Sequence, residues 1–195
     1  RLIVLAPSSV QEMNDFVELG FQLAFKYRNP AMILTDGVIG QMMEKVVLAD
    51  YIPRLTDEEI DQKYGTWVTN GRKPNRERNI VTSLEMDSGR MEQNNLRFQE
   101  KYAKMEAEEV LFEEIQCEDA EYILVAFGSS ARVCQKAVDL AREKGIKVGL
   151  LRPITLYPFP KKPIAALAQR VKGMLVVEMN AGQMIEDVQL AVGCA

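Results

Sequence analysis

Between Ile123 and Gln183 the chain alternates short apolar runs with amphipathic stretches, the rhythm of a parallel α/β fold. Tyr122 to Phe127 is a continuous apolar run of strand length, as expected of a strand covered on both faces. Gly128 permits a turn, and Ser129 or Ser130 is placed to accept from a free N–H of the helix that follows. On that helix Val133, Cys134, Ala137, Val138 and Ala141 recur at spacings of three and four and predict an apolar stripe. Gly145 ends the helix, and Lys147 to Leu151 predicts the second strand. Pro153, Pro158 and Pro160 predict an irregular crossover from Arg152 to Pro163, because each lacks a donor. Pro163 suits the first turn of a helix reaching about Val171, Met174 to Glu178 reads as a third strand, and a last helix begins near Gly182.

The earlier part of the chain has the same rhythm with weaker punctuation. Leu2 to Ala6 predicts a strand, and Ser9 with Glu12 has the spacing of a capping box. Met13, Phe16, Val17, Leu23, Ala24 and Tyr27 mark one face of a helix of about 18 residues. Ala31 to Thr35 predicts another strand, Asp36-Gly37 a turn, and Val38 to Val47 a helix. From Tyr51 to about Gly89 the periodicity fades, and the basic run Gly71 to Arg78 reads as a solvated loop. A long helix is predicted from Met91 to Ile115, where Phe98, Tyr102, Met105 and Phe112 recur at helical spacing. The expected organisation is a sheet remnant over 1–50, a linker and long helix over 51–116, and a second parallel α/β domain, incomplete, over 117–195.

Strands joined by helices lie parallel with right-handed crossovers, so the turns after Phe127, Leu151 and Glu178 share one sheet edge. Open α/β sheets bind ligands or partners at that edge. The rim and interface candidates are therefore Asp36, Gly128, Ser129, Ser130, Arg152, Glu178, Asn180, Gly182 and Gln183. The same residues serve equally well as connectors, since every such turn needs a cap and a glycine.

Composition narrows the chemistry. The chain has no histidine, which removes Ser-His and Cys-His nucleophiles, His-ligated metals and the commonest acid-base group. Cys117, Cys134 and Cys194 are far apart, without a CxxC, and read as reduced thiols with no metal or cluster framework. Catalysis must then use carboxylates, Lys, Tyr or Cys, or belong to a cofactor or another chain. A net charge of −4 gives no basic footprint for nucleic acid, and no apolar run reaches membrane-spanning length. The expectation is a cytoplasmic protein with neither nucleic-acid nor membrane partners. Arg1 and Ala195 both fall inside predicted elements, which leads us to expect a longer polypeptide.

The motifs carry a resemblance. The segment APSSVQEMNDFVELGFQLAFKYRNPAMILTDGVIGQMME, Ala6 to Glu44, is similar to the close of the pyrimidine-binding thiamine diphosphate domain in the alpha subunit of 2-oxoacid:ferredoxin oxidoreductases, particularly the 2-ketoisovalerate and 2-oxoglutarate types. VAFGSSAR, GIKVGLLRPITLYPFP and VVEMNAGQM resemble successive landmarks of that family's next, transketolase C-terminal-like domain. The resemblance implies oxidative decarboxylation of a 2-oxoacid on thiamine diphosphate, acyl transfer to coenzyme A, and electrons passed through iron-sulfur clusters to ferredoxin. It further implies a beta subunit holding the diphosphate and Mg, clusters in partner chains, no catalytic residue within these 195 residues, and a heteromeric complex to which this chain gives scaffold and subunit interface. One departure is TSLEMDSG, which places Ser83 and Met86 where the family often has Gly and His. Two alternatives stand beside it: a transketolase or 2-oxoacid dehydrogenase relative, and a noncatalytic module binding an anion or nucleotide at Gly128 to Ser130.

Overall fold

A computed structural model describes residues 1–71, 77, 80 and 82–193. It divides into two units, Arg1–Leu48 with Gln99–Ala195, and Ala49–Phe98. The stretch 51–116 therefore falls across both. Most of the basic run at 71–78, and Cys194, lie outside the described residues.

In the first unit, Ile3–Leu5 (β1) pairs in parallel with Ala31–Ile33 (β2) through the helix Val10–Tyr27 (α1). The buried face of α1 is Phe16, Gly20, Leu23 and Tyr27, which repeats at three and four residues. Ile3, Leu23, Tyr27 and Met105 form the core here, with Met105 supplied by the long helix Ser88–Glu108 (α4), the only fully buried residue of that helix. Ser9 caps α1 by accepting from Glu12 N–H at 3.1 Å, but the reciprocal half of the expected capping box is displaced by one residue. The Glu12 carboxylate accepts instead from Ser8 N–H at 2.7 Å and Ser8 Oγ at 3.2 Å.

A second sheet runs in the order β3-β5-β4-β7, formed by Phe112–Ile115, Val148–Pro153, Tyr122–Val125 and Gly173–Val176. The strands β4, β5 and β7 are parallel, as the sequence predicts. The helix Gly128–Glu143 (α5) covers one face through Ala131, Cys134 and Val138 against Val148 and Leu150. The helices Lys161–Ala168 (α6) and Met184–Val192 (α7) cover the other, through Ile164, Leu167, Met184 and Val188 against Ile123, Val125 and Leu151. Val133 and Ala137 are exposed, so of the expected stripe Cys134, Val138 and Ala141 face the sheet, joined by Ala131.

Three local expectations are overturned. The predicted helix at Val38 to Val47 stops at Gln41 (α2, Gly37–Gln41), because the following residues are held extended by long-range bonds. Gln11 takes both backbone groups of Val47, and Glu44 accepts from Val10 N–H. The long helix ends at Glu108, and Phe112–Ile115 is an antiparallel strand that fills the open edge of β5. Finally, the proline-rich crossover contains a strand: Thr155–Tyr157 (β6) leaves the second sheet and pairs antiparallel with β1, giving the first sheet the order β2-β1-β6. A proline costs a strand only the donor it lacks, and these three residues include none.

In the second unit the helix Asp57–Tyr64 (α3) has a capping box between Thr56 and Glu59 and buries none of its residues. Its end is held by Tyr64 edge-on to Trp67, ring centroids 5.6 Å apart.

Candidate functional site

The helix after β4 goes to one face of the second sheet and the helix after β7 to the other, which makes the gap between those two turns the sheet's switch point. Gly128, Ser129 and Ser130 lie on one side of it, and Glu178, Asn180, Gly182 and Gln183 on the other. Ser129 Oγ reaches Met179 Sδ across the gap at 3.7 Å. Leu34, Phe127, Glu178, Gln183 and Met184 line a cavity of about 140 Å³ there, so one wall comes from the residues that follow β2.

The turn at Gly128 does not use its serines as caps. Helix α5 has no side-chain cap from its own N-cap residue, Phe127. Its first turn is served by Asp36, 93 residues earlier: Asp36 Oδ2 accepts from Ser129 N–H at 3.0 Å. The other oxygen, Oδ1, accepts from Val38 N–H at 2.9 Å and Ile39 N–H at 3.0 Å and caps α2. One carboxylate thus closes two helix N-termini. Burial opposes the charge on Asp36, but the N–H groups of Ser129, Ile39 and Val38 outweigh it and hold its pKa below the ordinary value. Gly128 has φ +59°, and a Cβ there would stand 3.1 Å from Asp36 Oδ2, so a side chain at this position meets both backbone strain and the carboxylate.

Two arginines extend the contact. Arg132 Nη1, on α5, donates to Ser8 O at 3.1 Å and pairs with Glu44 Oε1 at 2.9 Å. Glu44 also accepts from Val10 N–H, and that bond with the Arg132 charge lowers its pKa. Arg152, which sequence places on the rim, is 5% exposed and turned inward. Its Nη2 donates to Glu12 at 2.6 Å and its Nη1 to Glu113 at 2.7 Å, which ties β5 to both α1 and β3. Glu44 and Arg132 are the participants that sequence reasoning passed over, and Glu12, expected only as half of a capping box, has Arg152 as a further partner. Nothing in the local pattern marks these long-range roles, since Glu44 and Arg132 look like ordinary polar positions on a helix or turn.

On the far side of the gap Glu178 caps α7. Its carboxylate accepts from Met184 N–H at 2.9 Å, Ile185 N–H at 3.0 Å and, at 3.2 Å, Gln183 N–H. Burial raises its pKa, but these bonds overcome that and leave it lowered. Asn180 Oδ1 accepts from Gly182 N–H at 2.8 Å, and the φ of +103° at Gly182 lets the chain fold back under Glu178. The last helix accordingly begins at Met184, two residues after the expected start.

The family model described as pyruvate flavodoxin/ferredoxin oxidoreductase, thiamine diP-binding, matches residues 1–116, and that of the pyruvate:ferredoxin oxidoreductase core domain II matches residues 120–195. The chain belongs to this family of oxidoreductases. It is 48% identical over all of its 195 residues to the ketoisovalerate oxidoreductase subunit VorB of Methanothermobacter marburgensis, of which it covers 53%. To the 2-oxoglutarate synthase subunit KorA of Methanothermobacter thermautotrophicus it is 32% identical, again over the whole chain and 57% of that protein. The chain therefore spans about half the length of the curated relatives it matches. Among solved structures, the 2-oxoglutarate:ferredoxin oxidoreductase of Magnetococcus marinus, with 2-oxoglutarate, coenzyme A and succinyl-CoA bound, shares the fold at a TM-score of 0.75 and 20% identity, over 97% of this chain and 37% of that one.

With the family in hand, the joint described above lies between its two matched segments: Asp36, Glu44 and Glu12 belong to the first, Ser129, Arg132 and Arg152 to the second. The described residues include no group of three or more His, Cys, Asp or Glu side chains able to hold a metal ion. Asp36 and Glu178, the carboxylates at this rim, have both oxygens committed to backbone N–H groups of this chain.

Proposed function

We propose that the chain is part of the alpha subunit of a thiamine-dependent 2-oxoacid:ferredoxin oxidoreductase whose substrate is a branched-chain 2-oxoacid, 2-ketoisovalerate. The observation that carries this reading is 48% identity, sustained over every residue of the chain, to ketoisovalerate oxidoreductase subunits of two Methanothermobacter species. In this reading the segment supplies scaffold and interface. A beta subunit holds the diphosphate and Mg, partner chains carry the iron-sulfur clusters, coenzyme A takes the acyl group and ferredoxin the electrons.

Two structural features support the assignment to a multichain enzyme. Asp36, Glu12, Glu44, Arg132 and Arg152 are engaged in holding the two matched segments together, which leaves little free chemistry at that joint among the described residues. Large apolar residues also stand in the open: Val17, Phe21 and Phe25 form a stripe along α1, at 48, 62 and 43% exposure, where a further polypeptide would exclude water. No helix among the described residues is long and apolar enough to cross a membrane, and we place the enzyme in the cytoplasm.

The test is the full-length subunit co-expressed with its beta and iron-sulfur partners. Reduction of ferredoxin or a viologen dye should depend on coenzyme A and proceed with a higher kcat/KM for 2-ketoisovalerate than for 2-oxoglutarate. A complex that reduces neither acceptor with any 2-oxoacid would end the proposal, and a preference for 2-oxoglutarate would end the substrate assignment.

A further inference from the structure

Three facts about Asp36 belong together. Its carboxylate is shared, one oxygen on the N–H groups of Val38 and Ile39 and the other on Ser129 N–H. The position facing it is Gly128, where a Cβ would approach Oδ2 to 3.1 Å. Two residues before it, Leu34 forms a wall of the switch-point cavity whose opposite wall is Glu178 to Met184.

We propose that Asp36 is the positioning residue of the joint between the two matched segments, with its single carboxylate making the loop after β2 and the first turn of α5 move as one body. The Leu34 and Phe127 sides of the switch-point cavity then keep one spacing, because they are carried on parts that cannot separate without uncapping a helix. Arg132 acts on the same joint from the next turn of α5, through Ser8 O and Glu44, and brackets Asp36 from the other side. The chemistry requires a carboxylate. It needs acceptors directed both ways, whereas a carboxamide presents one oxygen and turns an NH2 group towards the remaining N–H. This inference stands apart from the choice of substrate, and its test does not use turnover.

The experiment is amide hydrogen exchange on the full-length polypeptide with Asp36→Asn, Asp36→Ala and Arg132→Gln. In Asp36→Asn one capped terminus should keep its protection while the other exchanges roughly tenfold faster. In Asp36→Ala, Val38, Ile39 and Ser129 should all exchange faster, while the β4 amides Ile123 to Val125 stay as in the wild type. Combining Asp36→Asn with Arg132→Gln should give a non-additive effect at Ser129, since both act on one joint. Wild-type exchange at all three amides in Asp36→Asn would overturn the proposal. So would equal loss of protection in β4, which would make Asp36 a general stability residue, or strict additivity of the two substitutions.

Discussion

Gly128 is where the joint is most sensitive to a single atom. An alanine there must hold φ near +59°, which costs about 1–2 kcal/mol for an L residue, and its methyl group would push on Asp36 Oδ2. Gly128→Ala should therefore lower unfolding free energy by about 2 kcal/mol in chemical denaturation, more than Gly71→Ala, whose added Cβ meets nothing within 4 Å despite φ +93°. A cost at Gly128 no larger than the backbone term of about 1 kcal/mol would show that the Asp36 contact adds nothing. At this scale the sequence was half legible. Asp36 before Gly37 is visible as a turn and cap for its own helix, but its second partner lies 93 residues away and leaves no local mark. Arg152 shows the converse, since a charged residue at the end of an apolar strand reads as rim and is in fact buried between Glu12 and Glu113.

Among the elements, α7 depends on a cap outside itself. Gln183, at its N-cap position, makes no side-chain cap, and Glu178 provides the acceptors from the end of the preceding strand. Glu178→Ala should cost about 1 kcal/mol and raise amide exchange over Met184 to Val188, with α5 unaffected. Wild-type exchange throughout α7 would mean water replaces the carboxylate at no cost. The three parallel strands of the second sheet were legible because each is an uninterrupted apolar run bounded by Gly or Pro. The elements misread were those decided from afar. Phe112–Ile115 continues a helical spacing yet pairs with β5, and Met42–Val47 is drawn straight by Gln11 and Glu44. Tertiary hydrogen bonds outbid local propensity in both, and no window of a dozen residues contains the partner.

For the whole molecule, the shared carboxylates set an acid limit. Asp36 and Glu178 both have folded pKa values below their ordinary ones of 3.8 and 4.5. A depressed carboxylate stabilises the fold above its unfolded pKa, and that contribution is lost as pH falls through the folded value. Stability from these two groups should therefore be level from pH 7 to about 5 and decline below about pH 4. Denaturation midpoints measured against pH should fall less steeply in Asp36→Asn and Glu178→Gln, which start lower and have less to lose. An identical acid slope in the variants would assign the decline to other carboxylates. The α/β class was readable from sequence at this scale, together with the family motifs. How the two segments meet was not, because it rests on Asp36, Glu44, Arg132 and Arg152 pairing across 88 to 140 positions of chain.

The strand β6 has a consequence for inheritance. Chain order assigns Thr155–Tyr157 to the second segment, yet its backbone completes the first sheet by pairing with Val4 and Leu5. A transplant of residues 120–195 into a foreign host would carry a strand with nothing to pair with, and residues 1–116 alone would expose the bare side of β1 as an adhesive edge. The boundary between the two family segments therefore cuts through a shared sheet, and an exchange between relatives that carries Asp36, Gly128 and β6 in the same stroke is expected to fold better than one cut between them.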